Sequence, residues 1–204
     1  MTNNVLALII GEVSAWLIIV IAGNLAGENP GILFITPYLK YLPLVFPIFC
    51  LIFLRIARWI GKTIPVVYQL AKFILVGGLN FLIDMGVLNF LIFATGISAG
   101  ITQSGFKSLS FLVAVINSYI WNRYWTFKRE IKKSVLQEFF QFFTISVVVF
   151  LINVGIDYIF VNEVRPFWEI TLKTWAQFSA MMAVAIATVC NFLGYKFIVF
   201  NTKK

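Results

Sequence analysis

Apolar runs of membrane length recur through this chain, and no other feature constrains its fold as much. A helix needs roughly 20 apolar residues to cross the hydrocarbon of a bilayer. With no water there, every backbone group must be satisfied within the segment. Six stretches of the 204 residues qualify: 5–23, 42–59, 72–95, 106–122, 139–161 and 174–196. The chain is 61% hydrophobic and 12% charged, about half the charge fraction of a soluble domain. No polar linker separates the runs, so the expectation is an all-α integral membrane protein folded as a polytopic helix bundle. Pro37, Pro43 and Pro47 crowd the start of the second run, so residues 31–41 are read as an interfacial stretch or a kinked first turn. The first run follows Met-Thr-Asn-Asn rather than a basic segment, which is not the pattern of a signal peptide.

Charge then orients the spans. With six crossings, one side receives Arg55, Arg58, Lys62, Lys72, Arg123, Lys128, Arg129, Lys132, Lys133, Lys196, Lys203 and Lys204, twelve of the 16 cations; the other receives Lys40, Lys107, Arg165 and Lys173. By the positive-inside rule the twelve are cytoplasmic, and so are both termini. The net charge of +8 is read as topology plus attraction to anionic lipid headgroups, not as nucleic-acid binding, because the cations sit in short loops tied to the membrane. Cys50 and Cys190 both lie in apolar runs and the chain has no histidine, which excludes neither cysteine from packing but gives no disulfide framework or zinc site.

The second half of the chain repeats. Asn117-Ser-Tyr-Ile-Trp-Asn-Arg-Tyr-Trp-Thr-Phe127 recurs as Cys190-Asn-Phe-Leu-Gly-Tyr-Lys-Phe-Ile-Val-Phe200, an offset of 73. The same offset pairs Asn80 and Asp84 with Asn153 and Asp157, Ser110/Ala114/Ser118 with Ala183/Ala187/Asn191, and Arg123 with Lys196. An offset of 69 also fits, through Phe81-Leu-Ile-Asp-Met-Gly86 and Phe150-Leu-Ile-Asn-Val-Gly155. The two differ by about one helical turn and both remain open. Both halves start and end on the same side, so the expected core is a parallel repeat of two helical hairpins. The small-residue stripes suit close helix packing, with or without a second subunit, and a homodimer is one way to use them. The expected organisation is an N-terminal segment, 1–66, with two extra transmembrane helices, followed by a four-helix domain, 67–204.

A carboxylate inside the membrane is costly, about 2.5–3.5 kcal/mol at a helix centre on insertion scales. Asp84 lies about 18 Å along the helix from Lys72 at ~1.5 Å per residue, near the bilayer middle, with Asn80 one turn away on the same face. Two readings stand: a polar pathway or ion-coupling site, or an interhelical latch with Asn117, Asn153 or Asn191. Glu12 lies inside the first span. Arg123 and Lys196 also have two readings. They either snorkel to headgroups beside an aromatic belt of Trp121, Tyr124, Trp125 and Tyr195, or they hold a phosphate with Lys72, a role for which a bidentate guanidinium is suited. The chain carries no GxxxxGK[ST], GxGxxG or HExxH motif and has little general acid–base equipment. It is read as neither an enzyme nor an ATP-driven pump, with no cofactor.

Lys72-Phe-Ile-Leu-Val-Gly-Gly-Leu-Asn-Phe-Leu-Ile-Asp84, together with the later Asn117–Phe127 motif, resembles the GtrA-like family over roughly residues 69–201. On that resemblance Gly77, Asn80, Asp84, Asn117, Asn122, Arg123, Trp125 and Phe127 match motif positions, while the second half departs, with Lys196 where the first has Arg123. The family's members are four-helix membrane proteins of cell-surface polysaccharide synthesis, and a related domain is fused to dolichol-phosphate-mannose synthases. The resemblance implies a flippase for a polyprenyl-phosphate-linked sugar in the cytoplasmic membrane. Arg123, Lys196 and Lys72 would hold the phosphate, and Asn80, Asp84, Asn117, Asn122, Asn153 and Asn191 would line a polar path. The alternatives are a scaffold that anchors a glycosyltransferase, and a small-cation or drug transporter using Asp84 or Glu12.

Overall fold

The computed structural model describes residues 2–27, 30–128, 134–164 and 172–201, with the backbone alone at 172–174. Arg129, Lys132, Lys133, Arg165, Lys203 and Lys204 of the charge count lie outside them, as does the side chain of Lys173. The regular structure among the described residues is all helical: α1 (Asn3–Leu25), α2 (Pro30–Leu39), α3 (Leu42–Ile60), α4 (Pro65–Thr95), α5 (Gly100–Trp121), α6 (Val135–Asn162) and α7 (Leu172–Gly194). Short π-helical segments, π1 (Asn122–Phe127) and π2 (Tyr195–Val199), follow α5 and α7 directly. Local chemistry sets the ends. Thr2 and Ser134 cap α1 and α6 by accepting from the Val5 and Gln137 amides. Pro65 opens α4, where its missing N–H leaves nothing unsatisfied.

Among the described residues five segments are long and apolar enough to cross a membrane: Asn3–Leu25, Leu42–Ile60, Pro65–Thr95, Val135–Asn162 and Trp175–Val199. The sixth expected span, α5, is a helix of 22 residues, long enough to cross but diluted by Gln103, Ser104, Lys107, Ser108, Ser110 and Asn117. The proline-rich stretch is a separate short helix, α2, whose side chains are largely exposed. Lys72 does not mark the start of its helix, because α4 begins two turns earlier, at Pro65.

The chain forms two compact units, Met1–Lys128 and Arg129–Lys204. In the first, α1 packs on α3 and α4, and α4 pairs with α5. Ala7, Ile10, Leu54, Ala57, Val76, Leu79 and Trp125 form its core. Gly11 permits the α1–α3 approach: a β-carbon there would lie 2.5 Å from Pro47 Cα. The second unit is the α6–α7 hairpin with π2.

The two hairpins are built alike, and their contacts explain why two offsets fit the sequence. Phe73 meets Phe127 with ring centroids 6.5 Å apart at 59°, and Phe142 meets Phe200 at 6.3 Å and 56°. That rung relates the first helices by 69 and the second by 73. A carboxylate–serine rung recurs too: Ser110 Oγ donates to Asp84 Oδ1 at 2.5 Å, and Ser179 Oγ to Asp157 Oδ1 at 2.7 Å. It relates the first helices by 73 and the second by 69. Both offsets are therefore real, and the carboxylate rung has slid one turn, about 6 Å, farther from the π end in the second hairpin. The small-residue stripes follow the 73 offset, with Ser110, Ala114, Ala183 and Ala187 all buried.

Candidate functional site

Two polar constellations occur in the first unit. One is at the end where α1 begins. Tyr68 and Lys72 are one turn apart on α4, so their side chains share a face. The Lys72 ammonium lies 4.5 Å from the Tyr68 ring centroid and 5.9 Å from that of Trp125. Arg58, across the Gly61 turn, donates from Nη2 to Tyr68 Oη at 2.9 Å and sets its guanidinium 5.3 Å from the same ring. Gly61 is needed for this turn, since a β-carbon would lie 2.8 Å from Tyr68 Cβ. Lys72 is 6% exposed, and among the described residues neither it nor Arg58 forms an ion pair with a carboxylate. Ring faces stabilise such cations by about 0.5–2 kcal/mol without neutralising them, so two positive charges remain available to an anion.

π1 supplies the back of this site. A π turn carries one more residue than an α turn, and such turns cluster at functional sites. Here it turns Trp125, Thr126 and Phe127 inward together, all buried. Trp125 donates from Nε1 to Asn3 Oδ1 at 3.0 Å, and Gln69 donates to the Thr126 carbonyl at 3.4 Å, tying π1 to α1 and α4. Asn122 is fully buried and spends its amide on Ser118. Its Oδ1, and Thr126 Oγ1, are buried without hydrogen-bond partners among the described residues.

The aromatic belt does not form as expected. Trp125 is 1% exposed and Tyr195 is buried against Ser146 at 2.6 Å; of the four aromatics Tyr124 is the one strongly exposed. Nor does Arg123 snorkel. It is buried, donates to Tyr119 Oη at 2.8 Å, and lies 5.6 and 5.3 Å from the Tyr119 and Tyr124 rings. The cation that shares an aromatic partner with Lys72 is Arg58, one of the loop charges that orient the spans.

The second constellation is a seam between α4 and α5. Asn117 Nδ2 donates to Asn80 Oδ1 at 2.5 Å. Asp84 accepts from Ser110 and forms an ion pair with Lys107. Asp84 thus latches the hairpin, but through Ser110 and Lys107 rather than Asn117, which bonds Asn80. The antiparallel register takes Asn117 to Asn80 and brings Lys107 and Ser110 to Asp84. Lys107, counted on the outer side at the very start of the 106–122 run, sits seven residues inside α5, which begins earlier, at Gly100. In the second unit Lys196 lies 5.5 and 5.4 Å from the Phe192 and Phe197 rings. Asn153 and Asn191 are half-buried, and Asn191 Oδ1 is buried with no hydrogen-bond partner among the described residues. Glu12 accepts from Trp16 Nε1 at 2.8 Å.

Spacing alone hid Arg58, Tyr68 and Lys107. A signal was present in the i, i+4 pair Tyr68–Lys72, whereas Lys107 meets Asp84 only once the hairpin is closed. No solved structure matches the chain. A family model described as the GtrA/DPMS transmembrane domain matches residues 72–200, from Lys72 of the cationic cluster through the duplicated ending at Phe200. It spans both hairpins and well over half of the sequence, and so this chain belongs to the GtrA/DPMS transmembrane-domain family, membrane proteins of lipid-linked sugar processes.

Proposed function

We propose that this protein carries a polyprenyl-phosphate-linked sugar across the membrane, with its termini cytoplasmic. The observation that carries the reading is the buried Lys72 beside Arg58 over Tyr68, two cations with no carboxylate partner among the described residues, in a chain that belongs to a lipid-linked-sugar family. A phosphate monoester or diester is the anion that a lysine and a forked guanidinium together suit. Asn80, Asp84 and Asn117 begin about 12 Å farther along α4, at ~1.5 Å per residue. They offer donors and acceptors that can exchange interhelical bonds for sugar hydroxyls. Arg123, Asn122, Lys196, Asn153 and Asn191 belong to the same proposal as further phosphate and headgroup contacts. The polyprenyl tail stays in lipid. Moving one negative charge outward down an inside-negative potential is favourable by about 2.3 kcal/mol per 100 mV, so the step requires no nucleotide.

Proteoliposomes loaded with a short-chain polyprenyl-phosphate sugar test the proposal through accessibility of the sugar to an impermeant oxidant. The protein should accelerate transbilayer movement, and Lys72→Gln with Arg58→Gln should remove the acceleration while leaving the protein helical and monodisperse. Movement equal to that in protein-free vesicles defeats the proposal. The family's inclusion of synthase membrane domains favours one second reading, a membrane anchor for a glycosyltransferase. Stable co-purification of a transferase without lipid movement would select it.

A further inference from the structure

The first three helices precede the matched family segment and carry two grooves that the proposed function does not use. One, about 520 Å³, lies between α1 and α4 and is lined by Glu12, Trp16, Val20, Ile83, Gly86 and Phe90 among others. The second, about 350 Å³, lies between α1 and the α2–α3 turn, lined by Trp16, Gly23, Thr36, Lys40 and Pro43 among others. Trp16 walls both, and its indole is held by the hydrogen bond from Nε1 to Glu12. The two grooves adjoin at Trp16, and their lining on α1 runs from Glu12 to Gly23, a stretch we treat as one trough.

We infer that this trough binds a single lipid with an anionic headgroup, its chain between α1 and α4 and its phosphate at Lys40. Three features of the trough fix that occupant. The wall of the larger groove is almost wholly apolar, as a hydrocarbon chain requires. Its length, eleven residues of α1 or about 17 Å, is close to the ~15 Å thickness of one hydrocarbon leaflet. Lys40 is the charged residue lining the smaller groove, at the Leu25 end of α1. It is an exposed cation stacked 5.1 Å from the Tyr41 ring, and opposite charge is what a headgroup at that level must bring. Gly86 lets α4 approach Leu17 of α1 at the floor of the groove: a β-carbon there would come within 3.1 Å of Leu17 Cδ2. Glu12 acts through Trp16 and is a positioning residue.

The binding stands independently of transport, so it is read as binding. The chain in nanodiscs carries six tryptophans, and the difference between the native chain and Trp16→Phe isolates the Trp16 signal. Lipids brominated on one acyl chain quench an indole that they touch. Brominated phosphatidylglycerol should quench Trp16 with about fivefold higher apparent affinity than brominated phosphatidylcholine, the ratio expected for one lysine near an anionic surface. Lys40→Gln, a change at an exposed side chain, should abolish the ratio and keep the quenching by both lipids. Glu12→Leu should broaden the Trp16 emission, and Glu12→Gln should restore it. Equal quenching by both lipids in the native chain, or a ratio that survives Lys40→Gln, overturns the inference. Unlabelled polyprenyl phosphate and unlabelled phosphatidylglycerol, titrated as competitors, identify the source. Relief of quenching at a lower mole fraction of the polyprenyl lipid assigns the trough to the isoprenoid carrier, and equal relief assigns it to the bulk anionic lipid.

Discussion

Asp84→Asn should destabilise the first unit far more in the native background than in a background lacking Lys107. The amide keeps the size of the carboxyl and an oxygen that still accepts from Ser110, now 2.5 Å away. The principal effect is therefore to strand the Lys107 ammonium in the α4–α5 seam. A lone charge at a helix centre costs about 2.5–3.5 kcal/mol on insertion scales. Lys107 lies seven residues from Gly100, about 10 Å at ~1.5 Å per residue, and its side chain is 48% exposed. It can therefore lean toward the interface, which reduces the expected loss to about 1–2 kcal/mol. Lys107→Met strands the Asp84 carboxylate instead, only 20% exposed. Ser110 still donates to that carboxylate, so the loss is again about 1–2 kcal/mol rather than the full insertion cost. The double variant carries neither charge and should lose no more than either single one. The coupling is then about 1–2 kcal/mol, within the range for a contacting pair. Reversible unfolding in mixed micelles across the four proteins measures it. Single losses that add to within about 0.5 kcal/mol would refute the view that this pair closes the hairpin.

Trp125→Phe keeps the ring in the core and loses the bond to Asn3; thermal unfolding should show a cost of about 1 kcal/mol, matched by Asn3→Ala and not increased in the double variant. Gly11→Ala must push α1 from Pro47, and overpacking of this kind costs about 1–3 kcal/mol; Gly155→Ala, where a β-carbon meets nothing within 4 Å, should be neutral or stabilising in the same assay. Gly61→Ala displaces Tyr68 from between Arg58 and Lys72, so lipid transport should fall in proteoliposomes while circular dichroism stays unchanged; native transport rates in that variant would separate the cluster from the activity.

The span positions and the duplicated hairpin were legible because apolar length and residue identity are properties of the sequence. Residues 72–95 and 139–161 were recognised within the helices that contain them, and the stripe Ser110/Ala114 faces inward as its spacing requires. The sites were less legible, because they depend on which residues face each other across a hairpin. Nothing in linear spacing says that Lys107 turns toward Asp84 instead of toward the interface, since a lysine near a helix end satisfies both descriptions. Arg58 and Lys72 are separated by a glycine turn, and only closure of that turn puts both on Tyr68. The π segments were invisible for another reason. A five-residue turn such as Phe200 N to the Tyr195 carbonyl, 2.8 Å, has no propensity signature that separates Tyr-Lys-Phe-Ile-Val from an ordinary aromatic helix end.

The slide of the carboxylate rung makes a last prediction about the repeat itself. In the register set by the two phenylalanine pairs, the counterparts of Asp84, Ser110 and Lys107 are Asn153, Ala183 and Ala180. Their burial follows the same order: Asn153 is half-buried like Asp84, Ala183 is buried like Ser110, and Ala180 is exposed like Lys107. The second hairpin has therefore kept the geometry of this rung and lost its charge, while a serine–carboxylate contact survives one turn away at Asp157 and Ser179. Asn153→Asp alone should bury an unpaired carboxylate and cost about 1–3 kcal/mol, the range for an insufficiently paired polar group in a protein. Adding Ala180→Lys and Ala183→Ser should recover most of that loss, because it rebuilds the lysine and serine that face Asp84 in the first hairpin. Recovery by these two substitutions, but not by Lys at position 184, follows if residue 153 faces 183 as Asp157 faces Ser179, since both pairs belong to the register that the phenylalanine contacts also set. Recovery from position 184 instead would refute the antiparallel register that the phenylalanine pairs and the Asp157–Ser179 contact share.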